Sequence, residues 1–155
     1  MKFSNRVDVA ASAEFLFDQL SDFSAFERAA LKKGISLRRL DSLAAPGAGM
    51  SWDIGFRLRG RARQLIADIR RFERPTRLDY EGTSQGFQLM LGLELTALSP
   101  GRTRLTTALE LRPRTLGARL LLQSAKLGRA KLERRYDERV KSFLREIEER
   151  AAAQA

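Results

Sequence analysis

Met50-Ser51-Trp52-Asp53-Ile54-Gly55-Phe56-Arg57-Leu58 alternates apolar and polar residues without a break. Met50, Trp52, Ile54, Phe56 and Leu58 share one side, and Ser51, Asp53, Gly55 and Arg57 share the other. Period two marks a β-strand with one buried face, because successive side chains point to opposite sides of the pleat. The pattern returns twice downstream. Phe87, Leu89, Leu91, Leu93 and Leu95 form one set, and Leu105, Thr107, Leu109 and Leu111 form another, joined through a turn at Ser99-Pro100-Gly101. Between these strands and the first, residues 61–73 carry two phases. Ala62, Gln64 and Ile66 lie in one, while Leu65, Ala67 and Ile69 lie in the other. A bulge near Ala67-Asp68 reconciles them. After a turn at Pro75, Leu78 and Tyr80 make a short strand with Asp79 and Glu81 opposite.

On the N-terminal side of this run, residues 2–10 read as a strand through Phe3, Val7 and Val9. Ser12 is placed to cap a helix holding Phe15, Leu16 and Leu20, and a second short helix covers about residues 24–33, ended by Gly34. Ile35 and Leu37 re-enter the sheet, and residues 44–49 form a loop. On the C-terminal side, Pro113 precedes one helix of about ten turns, over residues 115–149. Leu121, Ala125, Leu132, Tyr136, Val140, Phe143 and Ile147 recur along it at helical spacing. Its first half carries surplus leucines at 116, 120, 122 and 127, and Gly117 and Gly128 weaken it. The expectation is one α+β domain over residues 1–150, with a short disordered tail at 151–155. In that arrangement a curved antiparallel sheet wraps around the long C-terminal helix, and two short helices follow the first strand.

Composition narrows the chemistry. A chain of 155 residues is the size of one ordinary domain, and 43% hydrophobic content supports a core. There is no His and no Cys. Thiol chemistry, disulfides, His-based general-base catalysis and the usual zinc ligand sets are therefore absent, and no cofactor or metal is expected. No glycine-rich phosphate loop joins a strand to a helix. No apolar run approaches the roughly 20 residues that span a bilayer, and residues 1–6 lack the apolar core of a secretory signal, so a cytoplasmic protein is expected. The net charge is +10, and 23 of the 29 basic residues are Arg. Genome composition bias and attraction to an anionic partner both account for that.

Three stretches resemble the START-related helix-grip superfamily, often called SRPBCC. Residues 7–22, from Val7-Asp8-Val9 to Leu20-Ser21-Asp22, are similar to its strand-then-helix entry. Arg70-Arg71-Phe72-Glu73-Arg74-Pro75-Thr76-Arg77-Leu78 is similar to its strand, Pro turn and strand. The long helix after the last strand is the third. The resemblance implies an apolar pocket between sheet and helix. It implies no single activity, since the superfamily includes lipid carriers, polyketide cyclases, hydrolases and chaperone activators.

On this reading Trp52, Ile54, Phe56, Tyr80, Leu89, Leu91, Leu93, Leu109, Leu121 and Ala125 line the cavity or form plain core. Gln64, Asp68 and Gln88 are the candidates for polar groups in it. The expected partner is a small hydrophobic ligand such as a lipid, an isoprenoid quinone or an aromatic polyketide. Two alternatives stand beside it. One is a cyclase- or dehydratase-like enzyme that uses Asp68, Tyr80 or a buried Arg as its acid–base group. The other is an interaction module that uses the basic face, including Arg57, Arg59, Arg61 and Arg63. No aromatic residue alternates with those arginines, which argues against nucleic acid. The surplus leucines in the first half of the last helix either pack under the two short helices or offer a cavity mouth, a homodimer face or a peripheral contact with an anionic membrane.

Overall fold

The computed structural model describes residues 1–154. β1 (Lys2–Val9) leads into α1 (Ala13–Leu20) and α2 (Phe23–Lys32). Each helix is started by a short polar side chain. Ser12 Oγ accepts from the Phe15 amide at 3.1 Å, and Asp22 Oδ1 accepts from the Ala25 amide at 3.2 Å. Six strands follow: β2 (Ser36–Arg39), β3 (Ser51–Leu58), β4 (Arg61–Glu73), β5 (Arg77–Thr83), β6 (Phe87–Ser99) and β7 (Arg102–Pro113). They pair antiparallel in the order β1-β7-β6-β5-β4-β3-β2. The chain closes with α3 (Leu116–Ala125), a 3₁₀ turn (Lys126–Gly128) and α4 (Arg129–Ala153).

The register sorts side chains onto two faces. Trp52 lies opposite Ala67, Tyr80 opposite Leu91, Leu91 opposite Leu109, and Leu109 opposite Phe3. This apolar row faces the helices. Phe17, Leu16, Ile69, Leu78, Leu105, Leu144 and Ile147 are fully buried together at the end of the sheet beneath α1. Phe17 meets Phe72 edge-on at 5.1 Å there. The outer face is polar and held by ion pairs such as Arg70–Glu81 at 2.8 Å and Arg77–Asp79 at 2.9 Å. Exposed pairs of this kind contribute about 0–1 kcal/mol each.

Four details depart from the sequence expectation. The bulge in β4 lies between Ile69 and Arg71, not at Ala67-Asp68. The closing helix is interrupted at Lys126–Gly128, where Gly128 supplies no side chain to hold the turn. No disordered tail begins at residue 151: α4 continues to Ala153, and Ala151 packs against the core. The arginines of the β3–β4 hairpin do not share one face. Its turn, Arg59 (φ 52°) and Gly60 (φ 77°), pairs Leu58 with Arg61 and Arg57 with Ala62, so Arg57 and Arg61 point to opposite sides.

Candidate functional site

A cavity of about 450 Å³ lies between the inner face of the sheet and the middle of α4. Its floor is Leu91 and Leu93 on β6 with Leu105, Thr107 and Leu109 on β7. Tyr136, Val140, Phe143 and Leu144 on α4 form the roof, at the i, i+4, i+7 and i+8 spacing that puts them on one helix face. Leu20 of α1, Phe26 of α2 and Tyr80 of β5 close one side, and Arg139 stands at the rim. Phe26 reaches across to Phe143, ring centres 6.2 Å apart, so α2 and α4 meet over the space. A volume within roughly 300–1,000 Å³ and apolar walls with few polar groups are the marks of a small-molecule site. A second depression, about 510 Å³, runs along the outer edge of β1 beside Arg129, Glu133 and Asp137, and its walls are largely charged.

The polar atoms of the cavity are tied to fixed partners. Thr107 is 2% exposed, and its hydroxyl donates to Asn5 Oδ1 at 2.6 Å. Asn5 is oriented by its own amide, which donates to Asp137 Oδ1 at 3.0 Å. Lys141 and then Asn5 hold Asp137 below the usual carboxylate range, so it only accepts. Thr107 has one hydroxyl proton, and Asn5 takes it. The Tyr136 hydroxyl, in contact with Thr107 Oγ1, must therefore donate to it. On the other side of the cavity, the Tyr80 hydroxyl donates to the Leu20 carbonyl at 3.2 Å. Burial pushes both tyrosines above the ordinary phenol range. Both remain neutral at physiological pH, with their protons committed and only lone pairs left for a ligand.

The sequence-derived site residues are distributed as follows. Tyr80, Leu91, Leu93 and Leu109 line the cavity. Ile54, Phe56 and Leu89 are half-buried on the same sheet face, outside the lining. Trp52 is core, not cavity wall: its ring packs 5.2 Å from Phe23 and its Nε1 donates to Glu27 at 3.2 Å, anchoring α2 to β3. Leu121 and Ala125 are not in the cavity either, because they belong to α3, and Leu121 is exposed. Gln64, Asp68 and Gln88 are corrected too. With the bulge at Ile69/Arg71, the phase of Leu65, Ala67 and Ile69 faces inward and puts Gln64 and Asp68 outside. Gln88, opposite Thr83 and Arg112, shares the outer face. Gln64 donates to Asp53 at 2.7 Å, Asp68 accepts from Ser51 at 2.7 Å, and Gln88 donates to Glu81 at 2.6 Å.

Sequence reasoning does not single out Thr107, Tyr136 or Arg139 as site residues. Thr107 carries a readable signal, a hydroxyl in phase with Leu105 and Leu109 on an otherwise apolar face. Of the acid–base candidates for catalysis, Asp68 faces away and the Tyr80 proton is held by Leu20. Among the described residues no carboxylate lines the cavity, and no cluster of three or more Asp or Glu could hold a metal.

No family model and no curated protein matches the chain. Solved structures do match along most of its length. The Zhui aromatase/cyclase from Streptomyces sp. R1128 superposes with a TM-score of 0.68 at 16% identity, over 97% of this chain and 94% of that one. A protein from Thermus thermophilus gives 0.65 at 16% identity, over 100% and 99%. A START superfamily protein from Mycobacterium smegmatis gives 0.56 at 18% identity, over 88% and 97%. At such identities the likeness establishes the fold. The chain carries the helix-grip fold of these proteins, with no single one of them as its model for activity.

Proposed function

We propose that this protein binds a small hydrophobic ligand in the cavity between β6, β7 and α4, as a carrier or binding protein. The observation that carries this reading is the cavity itself. Leucines, Val140 and Phe143 wall it, and its hydroxyl groups are already hydrogen-bonded. Burial of ligand apolar surface, at about 25 cal/mol per Å², is the driving force, less the cost of ordering the ligand. Tyr136 and Tyr80 offer acceptors to a hydroxyl. Arg139, exposed at the rim and without an ion-pair partner among the described residues, offers a cation to an acidic head group. A lipid, an isoprenoid quinone or an aromatic polyketide meets that description.

The test uses anilinonaphthalene sulfonate, an apolar fluorophore with one anionic group. Saturable one-to-one binding is expected. Leu91→Trp, which places an indole in the cavity, is expected to weaken binding at least ~10-fold while the fold is retained. Equal binding by Leu91→Trp would remove the cavity as the site.

A further inference from the structure

Ten basic side chains gather toward one end of the sheet. Because the strands alternate in direction, the β3–β4 turn, the β5–β6 turn and the exit of β7 into α3 all lie at the same end. The Arg114 amide donates to the Gly86 carbonyl at 2.8 Å and fixes the start of α3 against the β5–β6 turn. Arg129 donates to the Lys2 carbonyl at 2.8 Å and holds the start of α4 there as well. Residues 54–67, 82–93 and 111–132 lie at or near this end and contain no Asp or Glu; Asp53, Glu110 and Glu133 stand just beyond them, with Asp53 opposite Ile66. Arg57, Arg59, Arg61 and Arg63 lie in the first; Arg112, Arg114, Arg119, Lys126, Arg129 and Lys131 lie in the last. Among the described residues, only Arg112 and Arg129 of the ten form ion pairs, with Glu110 and Glu133.

Large apolar side chains also stand in solvent at this end. Leu116 is 72% exposed and Leu127 is 93% exposed, with Leu120, Leu121 and Leu58 exposed beside them. Leu116 and Leu120 are one turn apart on α3, and Leu127 lies in the 3₁₀ turn that follows it. Only Ala118 of α3 is buried. A leucine face flanked by cations, most of them without an ion pair, is the composition of a helix that lies in a lipid interface.

We propose that this end docks on an anionic lipid bilayer, with the α3 leucines entering the acyl boundary and the hairpin and α3 cations on the head groups. The proposal is independent of the cavity and of its ligand. The partner is a bilayer because charge complementarity selects an anionic surface and the leucines need an apolar one behind it. A nucleic acid satisfies only the first requirement, and a second copy of this end repels the first.

Co-sedimentation tests it with vesicles of phosphatidylcholine alone and of phosphatidylcholine with about one-third phosphatidylglycerol. Binding to the anionic vesicles only, released by high salt, is expected. Replacing Arg57, Arg59, Arg61 and Arg63 by Gln is expected to weaken partition about fivefold per charge. The triple change Leu116→Ser, Leu120→Ser and Leu127→Ser is expected to weaken vesicle binding at least ~10-fold with retention on heparin unchanged. These leucines are exposed, so an unchanged melting temperature verifies the fold. Vesicle binding that the leucine changes leave intact overturns the proposal. So does binding to a single-stranded oligonucleotide in place of vesicles, or a dimer that the leucine changes dissociate.

Discussion

Thr107→Val tests the direction of the hydrogen bonds at the cavity floor. Valine has the shape of threonine, and the site is 2% exposed, so packing is conserved and only the hydroxyl is lost. Two hydrogen bonds go with it, to Asn5 and from Tyr136. Each contributes about 1 kcal/mol net, and the abandoned partners add a desolvation penalty, so the loss is about 2–3 kcal/mol. Tyr136→Phe deletes one of the same bonds from the other end. Thr107 then still donates to Asn5, and the loss is about 0.5–1 kcal/mol. The double variant separates the shared term, with a coupling energy of about 1 kcal/mol. Urea unfolding measures all three, and by melting temperature each kcal/mol corresponds to about 2–4 °C for a domain of this size. Thr107→Ser keeps the hydroxyl and loses one methyl, so it retains the coupling to Tyr136. Equal losses from Thr107→Val and Tyr136→Phe, or a cycle that is additive, would refute the assigned chain of donors.

Two further expectations follow from the geometry. The chain has only two tyrosines, and burial raises the pKa of both, so at about pH 10, the ordinary phenol value, the folded protein shows less tyrosinate absorbance than the unfolded chain. Well below about pH 10 both folded and unfolded forms hold these protons. As pH rises through that value the unfolded form releases them first, so stability falls with rising pH; a folded protein that titrates as early as the unfolded chain contradicts this. Arg59 holds φ 52° in the β3–β4 turn beside Gly60. Asn tolerates that conformation better, and Arg59→Asn is expected to stabilise by about 0.5–1 kcal/mol, read from the urea midpoint, with an unchanged midpoint as the contrary result.

The sheet is legible in the sequence because its strands are amphipathic with period two. Met50 to Leu58 and Phe87 to Leu95 place their own faces without reference to anything distant. β4 is not, because Leu65, Ile66, Ala67 and Ile69 give apolar residues to both phases, and only pairing with β5 decides where the bulge falls. That decision moves Gln64 and Asp68 from candidate pocket groups to the outer face. The lower half of the last helix is legible from Tyr136, Val140, Phe143 and Ile147. The upper half misleads as to role, because helical spacing reports which residues share a face and not what that face meets. Leu121 obeys the same periodicity as Val140, yet α3 has little of the sheet beneath it. Trp52 reads as cavity wall because it lies on the inner face. What removes it from the cavity is α2, which brings Phe23 and Glu27 over it from a different part of the chain.

The strand order has a consequence for how this chain comes into being. β1 pairs with no strand but β7, joining Lys2 to Glu110 and Val9 to Thr103. The first of these seven strands to be synthesised therefore waits for the last. Over the cavity the leucines of β6 and β7 are roofed by α4, which lies further along still. During synthesis an uncovered apolar sheet with one unpaired edge exists until nearly all of the chain is available. Long-range pairing of this kind slows folding and leaves strands open to association with other chains. The short, arginine-bearing β2 guards the opposite edge from the outset. The β7 edge has no such guard until β1 closes on it, so a nascent chain of this protein is the form most in need of a chaperone.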